Sequence, residues 1–111
     1  MVSRRFTVPD TLSGMSDLTG AQRRFLRARA QADSAAVSVG TKGLTDEVRQ
    51  VLDKALASRE LVKVRLPSGV DRKVAAAQAA EAGSAALVGL VGRVALLYRP
   101  DPDSPKFTLP N

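Results

Sequence analysis

The chain has 111 residues, with 17 Lys and Arg against 11 Asp and Glu, which gives a formal charge of +6 and a pI near 10.5. Its length fits one domain, and 44% hydrophobic with 25% charged residues is typical of a folded protein rather than a disordered one. Histidine and cysteine are absent, which excludes zinc sites, His-based triads, Cys nucleophiles and disulfides. Excess positive charge on a small domain favours a polyanionic partner, and nucleic acid is the first candidate.

The chain shows no sequence signal for a membrane. The longest apolar run, residues 85–91, is far shorter than the roughly 18 residues that a membrane span needs. Arg4 and Arg5 are not followed by the apolar segment of a signal peptide, so we expect a cytoplasmic protein. Proline placement predicts a flexible N-terminal segment over 1–17, a folded domain over 18–100 and a disordered C-terminal tail over 101–111.

The first predicted element is a helix over about residues 19–32. Thr19 and Gln22 form a capping-box pattern at its start. Helical spacing predicts one buried stripe, and places Arg23 and Arg27 on the opposite side; the stripe consists of Ala21, Phe25, Ala28 and Ala32. Residues 35–39 then read as a brief strand that stops at Gly40.

The clearest helix begins after Gly43. Thr45 can cap it, and Asp46 and Glu47 complement the positive end of its dipole. Its apolar residues recur at helical spacing, and they are Val48, Val51, Leu52, Ala55 and Leu56.

The second half of the domain alternates strand, helix and hairpin. In the strand over 61–66, Val62, Val64 and Leu66 share one face, while Lys63 and Arg65 lie on a basic, solvated face. The alanine-rich stretch over about 71–82 predicts a closely packed helix that ends at Gly83. Strands over 87–91 and 94–99 meet in a hairpin. This order predicts an α/β fold, a compact α-β-α-β-α-β-β sandwich with a four-stranded mixed sheet.

A glycine loop lies between the first strand and the clearest helix, and consists of Gly40, Thr41, Lys42 and Gly43. Two glycines allow a tight turn and a close ligand approach, and the following helix offers unpaired amides. A phosphate would fit there, and the loop resembles the GXXG loop of KH domains. A plain strand-to-helix turn is the alternative reading. Asp46 and Glu47 would also repel a phosphate unless they point away.

Basic side chains accompany this loop. The first helix carries a cluster without any acid between residues 18 and 32, and its members are Arg23, Arg24, Arg27 and Arg29. A merely solvated helix usually mixes charge signs, so this cluster favours RNA contact. Lys63, Arg65 and Arg93 extend the surface or are simply solvated. Aromatic residues are only 4% of the chain, which excludes an RRM-like stacking sheet and favours recognition of RNA backbone and shape.

Four blocks in chain order carry a family resemblance: Leu18-Thr19-Gly20-x-Gln22-Arg23-Arg24-x-Leu26-Arg27, Val39-Gly40-x-x-Gly43-Leu44-Thr45, Glu60-Leu61-Val62-Lys63-Val64-Arg65 and Val91-Gly92-Arg93-Val94-x-Leu96-Leu97-Tyr98-Arg99-Pro100. Together they resemble the CRM domain, named for chloroplast RNA splicing and ribosome maturation, whose stand-alone bacterial members are YhbY-like. The resemblance covers about residues 18–100. The family often has a basic residue directly after the first loop glycine, where this chain has Thr41.

The resemblance implies a fold similar to the C-terminal domain of translation initiation factor three. It also implies a ribosome-assembly factor that binds large-subunit rRNA precursors, with ribosomal proteins as further partners. The implied RNA contacts are the glycine loop and neighbouring basic surface, at Gly40, Lys42, Gly43, Arg23, Arg24 and Arg27. No cofactor, membrane or small-molecule substrate is expected.

We therefore predict a non-enzymatic RNA-binding protein. The predicted contact residues are Gly40, Thr41, Lys42, Gly43, Arg23, Arg24, Arg27, Lys63 and Arg65. Two alternatives remain at this stage, an architectural protein of duplex DNA and a protein-interaction module with a basic face. Catalysis is disfavoured because helix-end electrostatics and surface pairing account for the carboxylates, which are Asp46, Glu47, Asp53 and Glu60. The loop also lacks the phosphate-binding pattern of nucleotide hydrolases.

Overall fold

A computed structural model describes residues 18–101 together with 103 and 109. The segment 1–17 and most of the tail 101–111 lie outside the described residues, so these two predictions stay predictions. The elements are α1 (Gly20–Ala30), β1 (Val37–Ser38), α2 (Asp46–Arg59), β2 (Leu61–Arg65), α3 (Arg72–Ala82), β3 (Ala86–Val91) and β4 (Val94–Tyr98). This order confirms the one predicted from the sequence. No helix in the described part of the chain is long and apolar enough to cross a bilayer.

Side-chain caps set the start of each helix. Thr19 and Gln22 form the predicted capping box of α1, with a distance of 3.0 Å in each direction. The Thr45 hydroxyl accepts from the Val48 amide at the start of α2. Asp71 is the cap of α3, since its carboxylate accepts two amides in the first turn. The helix starts are therefore encoded locally.

The four strands form one mixed sheet in the order β1-β2-β4-β3. β1 is parallel to β2, and the other two pairs are antiparallel. The register shifts between Leu87 and Gly89, where β3 carries an irregularity of the β-bulge kind. The tight β3–β4 hairpin has Gly92 at φ +58°. The predicted four-stranded mixed sheet is confirmed.

Helices cover both faces of the sheet. The larger core lies between the sheet and the pair α2 and α3, and it includes Leu52, Leu56, Val62, Val64, Leu66, Ala76, Ala79 and Leu97. The alanines of α3 permit the close packing that its composition predicts. At the end of α3, a Cβ on Gly83 would lie 2.7 Å from Cδ1 of Leu56, so the glycine lets the two helices approach.

A smaller core lies under α1 on the opposite face, and it includes Leu18, Leu26, Ala30, Leu61, Ala86, Val88, Leu96 and Tyr98. The predicted stripe of α1 is wrong in part. Leu26 and Ala30 are the buried residues of the helix, whereas Ala28 and Ala32 are exposed. Leu26 faces the sheet because a buried leucine removes far more apolar surface from water than a buried alanine does.

Two further predictions are wrong. Val51 was placed on the apolar side of α2, yet it is 51% exposed. Glu60 was assigned to surface pairing, yet it is only 1% exposed. Glu60 has a positive φ of 67° where the chain leaves α2 and enters β2, so the reversal carries its side chain inward. Burial raises the pKa of Tyr98 to about 12, and the nearby charge of Glu60 adds to the effect.

Arg99 connects the end of β4 to both helices of the larger core. Its Nη1 lies 2.9 Å from Oδ1 of Asp53 and 2.8 Å from the carbonyl oxygen of Gly83. Its Nη2 donates to the backbone oxygen of Asp53 at 3.0 Å. The predicted surface pairing of Asp53 is confirmed. Arg99 thus has a structural role at the sheet end opposite the glycine loop.

Candidate nucleic-acid interface

The glycine loop is a tight turn between β1 and α2. The Gly43 amide donates to the Gly40 carbonyl at 2.9 Å, and the Thr45 amide donates to the Gly43 carbonyl at 3.0 Å. Gly43 has a φ of +78°, a left-handed conformation that an L side chain rarely adopts. This conformation explains the second glycine of the loop.

The first glycine has no such explanation. The φ of Gly40 lies outside the left-handed range, and a Cβ placed on it would meet no atom within 4 Å. Thr41 and Lys42 at the tip are both exposed. Within the described residues, their backbone amides donate to no protein acceptor. The tip therefore offers open amides, a lysine and a glycine that leaves room for close approach.

Strand direction places other cations at the same end of the sheet. Because β1 is parallel to β2 and β4 is antiparallel to both, the loop, the end of β2 and the β3–β4 hairpin lie together. Arg65 pairs with Ser38 in register, two residues before the loop. Arg93 donates to the Pro67 carbonyl at 3.1 Å, and Arg72 donates to the Gly92 carbonyl at 2.9 Å. Three arginines, Arg65, Arg72 and Arg93, therefore lie at the same end of the sheet as the glycine loop.

An open groove of about 630 Å³ continues from this end along the α1 face of the sheet. Helix α1 covers only part of the face. The groove is lined by three predicted contact residues, Arg27, Lys63 and Arg65, and by Gly89, Val91, Val94 and Leu96 of β3 and β4. A Cβ on Gly89 would lie 3.2 Å from Cδ of Arg27, so the arginine stem crosses the strand at its glycine. We call this feature the basic groove.

Arg27 is therefore not on the side of α1 where the sequence placed it. The sequence stripe put it away from the sheet, whereas its side chain lies over β3. The true buried stripe of Leu26 and Ala30 is displaced from the predicted one, and this rotation brings Arg27 to the sheet. Arg27 thus lines the same groove as Lys63 and Arg65.

Of the remaining predicted contact residues, one lines the basic groove and two do not. Lys63 is half-buried rather than solvated, and its Nζ donates to the Asp33 carbonyl at 2.8 Å. Arg23 turns back to its own helix start and donates to the Leu18 carbonyl at 2.8 Å. Arg24 is exposed and does not line the groove. The structure thus groups Arg27, Lys63 and Arg65, and leaves Arg23 and Arg24 apart from them.

Sequence reasoning missed Arg72 and the apolar lining of the basic groove. The sequence contains no signal that predicts the contact of Arg72 with the Gly92 carbonyl. A signal for the groove was a glycine inside an apolar strand, because such a glycine marks a bulge or a close approach. Asp46 and Glu47 are exposed in the first turn of α2. They stabilise that helix start and lower the positive potential beside the loop.

The sequence of this chain is similar to those of known proteins. Residues 18–99 match the CRS1 / YhbY (CRM) domain family. The chain is 34% identical over 95 residues to the Bacillus subtilis protein named "Probable RNA-binding protein YqeI", which covers 84% of this chain and 99% of that protein. It is 34% identical over 100 residues to a Haemophilus influenzae protein named "RNA-binding protein", over 86% of this chain and 98% of that one. These relatives are named for RNA binding and not as enzymes.

A solved structure has the same fold. The solution structure of the hypothetical protein SAV1595 from Staphylococcus aureus aligns with a TM-score of 0.73 and 30% sequence identity. The alignment covers 84% of this chain and 99% of that one. Since the family match spans most of the chain, this protein belongs to the CRS1 / YhbY (CRM) domain family.

Proposed function

We propose that this protein binds RNA through the glycine loop and the adjacent basic groove, and acts in assembly of the large ribosomal subunit. The observation that carries the proposal is Gly40, a glycine with no internal steric or conformational requirement. It stands beside the open amides of Thr41 and Lys42. An RNA phosphate is a ligand that uses both features, since backbone must approach closely to donate to its oxygens.

The charge distribution supports a polyanion over a single anion. Lys42 and Arg65 stand at the sheet end, and Arg27 and Lys63 follow along the groove. Cations spread along a surface engage several phosphates in succession, and each engaged phosphate releases counterions. Binding to RNA should therefore weaken steeply as salt rises.

The relatives support RNA over the two alternatives. Two proteins that this chain matches over most of their length are named RNA-binding proteins. The CRM family takes its name from RNA splicing and ribosome maturation, which supports rRNA of the large subunit as the target. Ribosomal proteins that bind the same precursors are candidate neighbours, and no catalytic step is part of the proposed role.

Competition binding tests the nucleic-acid class. Labelled precursor of large-subunit rRNA is bound by the purified protein at moderate salt, and unlabelled structured RNA or duplex DNA is added as competitor. We expect RNA to compete and duplex DNA to compete much more weakly. Equal competition by DNA would favour the architectural alternative. Binding of a protein partner that survives nuclease treatment, without RNA affinity, would favour the interaction module.

Crosslinking in cells tests the biological target. The protein is crosslinked to RNA in living cells, and the attached RNA is sequenced. We expect enrichment on large-subunit rRNA and its precursors. Reads spread over unrelated transcripts, without that enrichment, would contradict the proposed role in assembly while leaving RNA binding itself standing.

A further inference from the structure

The basic groove has an apolar surface as well as cations. Val91 is 74% exposed although it lies within β3, and Val94 is half-buried beside it in register on β4. Leu96 lies on the same face of β4 and also lines the groove. A strand surface of this kind is normally covered, because exposed aliphatic side chains lose the stabilisation of burial. Contacts with phosphates alone would leave this apolar surface exposed to water.

The backbone of β3 keeps this surface open. Gly89 presents no side chain, and the register shift beside it changes the facing of the strand. Arg27 lies against Gly89 from the helix side, with its Cδ 3.2 Å from a Cβ placed there. The groove thus has an aliphatic sheet surface on one side and a guanidinium-bearing side chain at its edge.

The charges around the groove differ between its two ends. Arg65 lies at the end nearest the glycine loop, because it pairs with Ser38 two residues before Gly40. Asp33 lies at the other end, where the chain passes from α1 to β1, and its carbonyl accepts from Lys63. The loop end of the groove therefore carries an arginine, whereas at the far end the Lys63 ammonium is accompanied by an acidic residue, Asp33.

We propose that the basic groove holds one unpaired nucleobase of the RNA, lying on Val91 and Val94 and contacted by the Arg27 guanidinium. The phosphates flanking that base lie toward Arg65 and the glycine loop. This inference rests on the proposed RNA binding and deepens it, because it makes a bulged or looped nucleotide the preferred ligand. Arginine planes and apolar side chains both contact bases that have left a stack.

An acidic peptide is the rival occupant, and two observations favour the base. Arg65 lines the groove and also pairs with Ser38, two residues before the glycine loop, so one RNA strand can occupy both the groove and the loop. The groove volume of about 630 Å³ is also ample for one nucleotide. Binding of poly-glutamate tests whether an acidic peptide occupies the groove instead.

Two RNA hairpins and two matched variants test the inference. One hairpin carries a single unpaired 2-aminopurine, and the other has the same stem with that base paired to an added uridine. Val91→Asn makes the groove surface polar without changing charge. Val51→Asn is the control, since Val51 is an exposed valine on α2 that does not line the groove. Affinity and 2-aminopurine fluorescence are measured for both hairpins.

We expect the wild-type protein to bind the bulged hairpin about tenfold more tightly than the paired one, which is the scale of contact with one base. The fluorescence of the unpaired base should change on binding. Val91→Asn should remove most of that preference and leave affinity for the paired hairpin unchanged. Val51→Asn should behave as the wild type.

The experiment distinguishes failure of the groove assignment from failure of the proposed RNA binding. Tight and equal binding of both hairpins, or equal effects of the two substitutions, would overturn the groove assignment and leave the proposed RNA binding intact. Absence of binding to either hairpin and to the rRNA precursor would overturn the proposed function itself. Binding of poly-glutamate that Val91→Asn weakens, without any preference for the bulged hairpin, would overturn the inference in favour of an acidic protein partner.

Discussion

The two glycines of the loop should respond to the same substitution in opposite ways. Gly43 has a φ of +78°, so Gly43→Ala forces an alanine into a left-handed conformation. That conformation costs about 1–2 kcal/mol in the free energy of unfolding. For a domain of this size, roughly 4–8 °C of Tm is lost for each kcal/mol. Gly43→Ala should therefore lower the Tm by several degrees.

Gly40→Ala should leave stability intact and weaken RNA binding. The added methyl meets no atom within 4 Å, and the backbone lies outside the left-handed range. Loss of unfolded-chain entropy should even stabilise the fold by about 0.4–1 kcal/mol. If a phosphate contacts the loop amides, the methyl separates them. Loss of one charge-assisted hydrogen bond costs about 1.5–3 kcal/mol, which is roughly a tenfold or greater rise in Kd.

Thermal unfolding followed by circular dichroism and RNA binding by fluorescence anisotropy measure the two effects. The pair serves as its own control, because both variants add one methyl to the same turn. The reasoning is refuted if Gly40→Ala binds the rRNA precursor as tightly as the wild type. It is also refuted if Gly40→Ala loses as much stability as Gly43→Ala, since the first glycine would then be structural.

Three further predictions concern the fold. Tyr98 is the only tyrosine in a chain without tryptophan, so its absorbance near 295 nm should titrate near pH 12. Because the unfolded chain loses this proton near pH 10, the free energy of unfolding should fall between pH 10 and 12, by up to roughly 3 kcal/mol. Titration of Tyr98 near pH 10 would contradict its burial. Gly83→Ala should lower the free energy of unfolding by about 1–3 kcal/mol, since the added Cβ would lie 2.7 Å from Leu56 Cδ1. Urea unfolding measures this loss, and an unchanged midpoint would contradict the contact. Leu26→Ala should lower the free energy of unfolding by about 2–5 kcal/mol, whereas Ala28→Ser should change it by no more than roughly 0.5 kcal/mol. The reverse order would support the buried stripe that the sequence predicts for α1.

Local signals predicted most of the fold. Thr19 and Thr45 were recognised as caps because capping depends on a residue and its neighbours three positions on. Alternation identified the β2 strand, whose Val62 and Val64 are buried as predicted. The Gly92 hairpin followed from turn chemistry. These features are fixed within one or two turns of chain, which is why the sequence alone suffices for them.

The errors lie where tertiary packing decides. Alanine is common both in cores and on helix surfaces, so the recurrence of Ala28 and Ala32 did not reveal which side of α1 is buried. Glu60 was expected outside because glutamate is rarely buried, and only the chain reversal into β2 brings it inside.

The candidate site was predictable in part. The loop follows from Gly40 and Gly43, which are adjacent in sequence to a strand and a helix. The basic groove does not, because it joins Arg27 of α1 to Gly89 of β3, and their contact depends on the register shift in that strand. No periodicity within either segment encodes this contact.

The salt dependence of RNA binding tests the central claim most directly. The double variant Lys42→Ala with Arg65→Ala removes two cations from the loop end of the sheet. Lys54→Ala with Arg59→Ala removes the same two residue types from α2, where both are exposed and neither lines the groove. The logarithm of the binding constant for the rRNA precursor is plotted against the logarithm of salt concentration. The first variant should bind more weakly and lose roughly one unit of slope for each lost phosphate contact, while the second keeps the wild-type slope. Equal slopes and affinities for the two variants would contradict the placement of the RNA at the loop and groove.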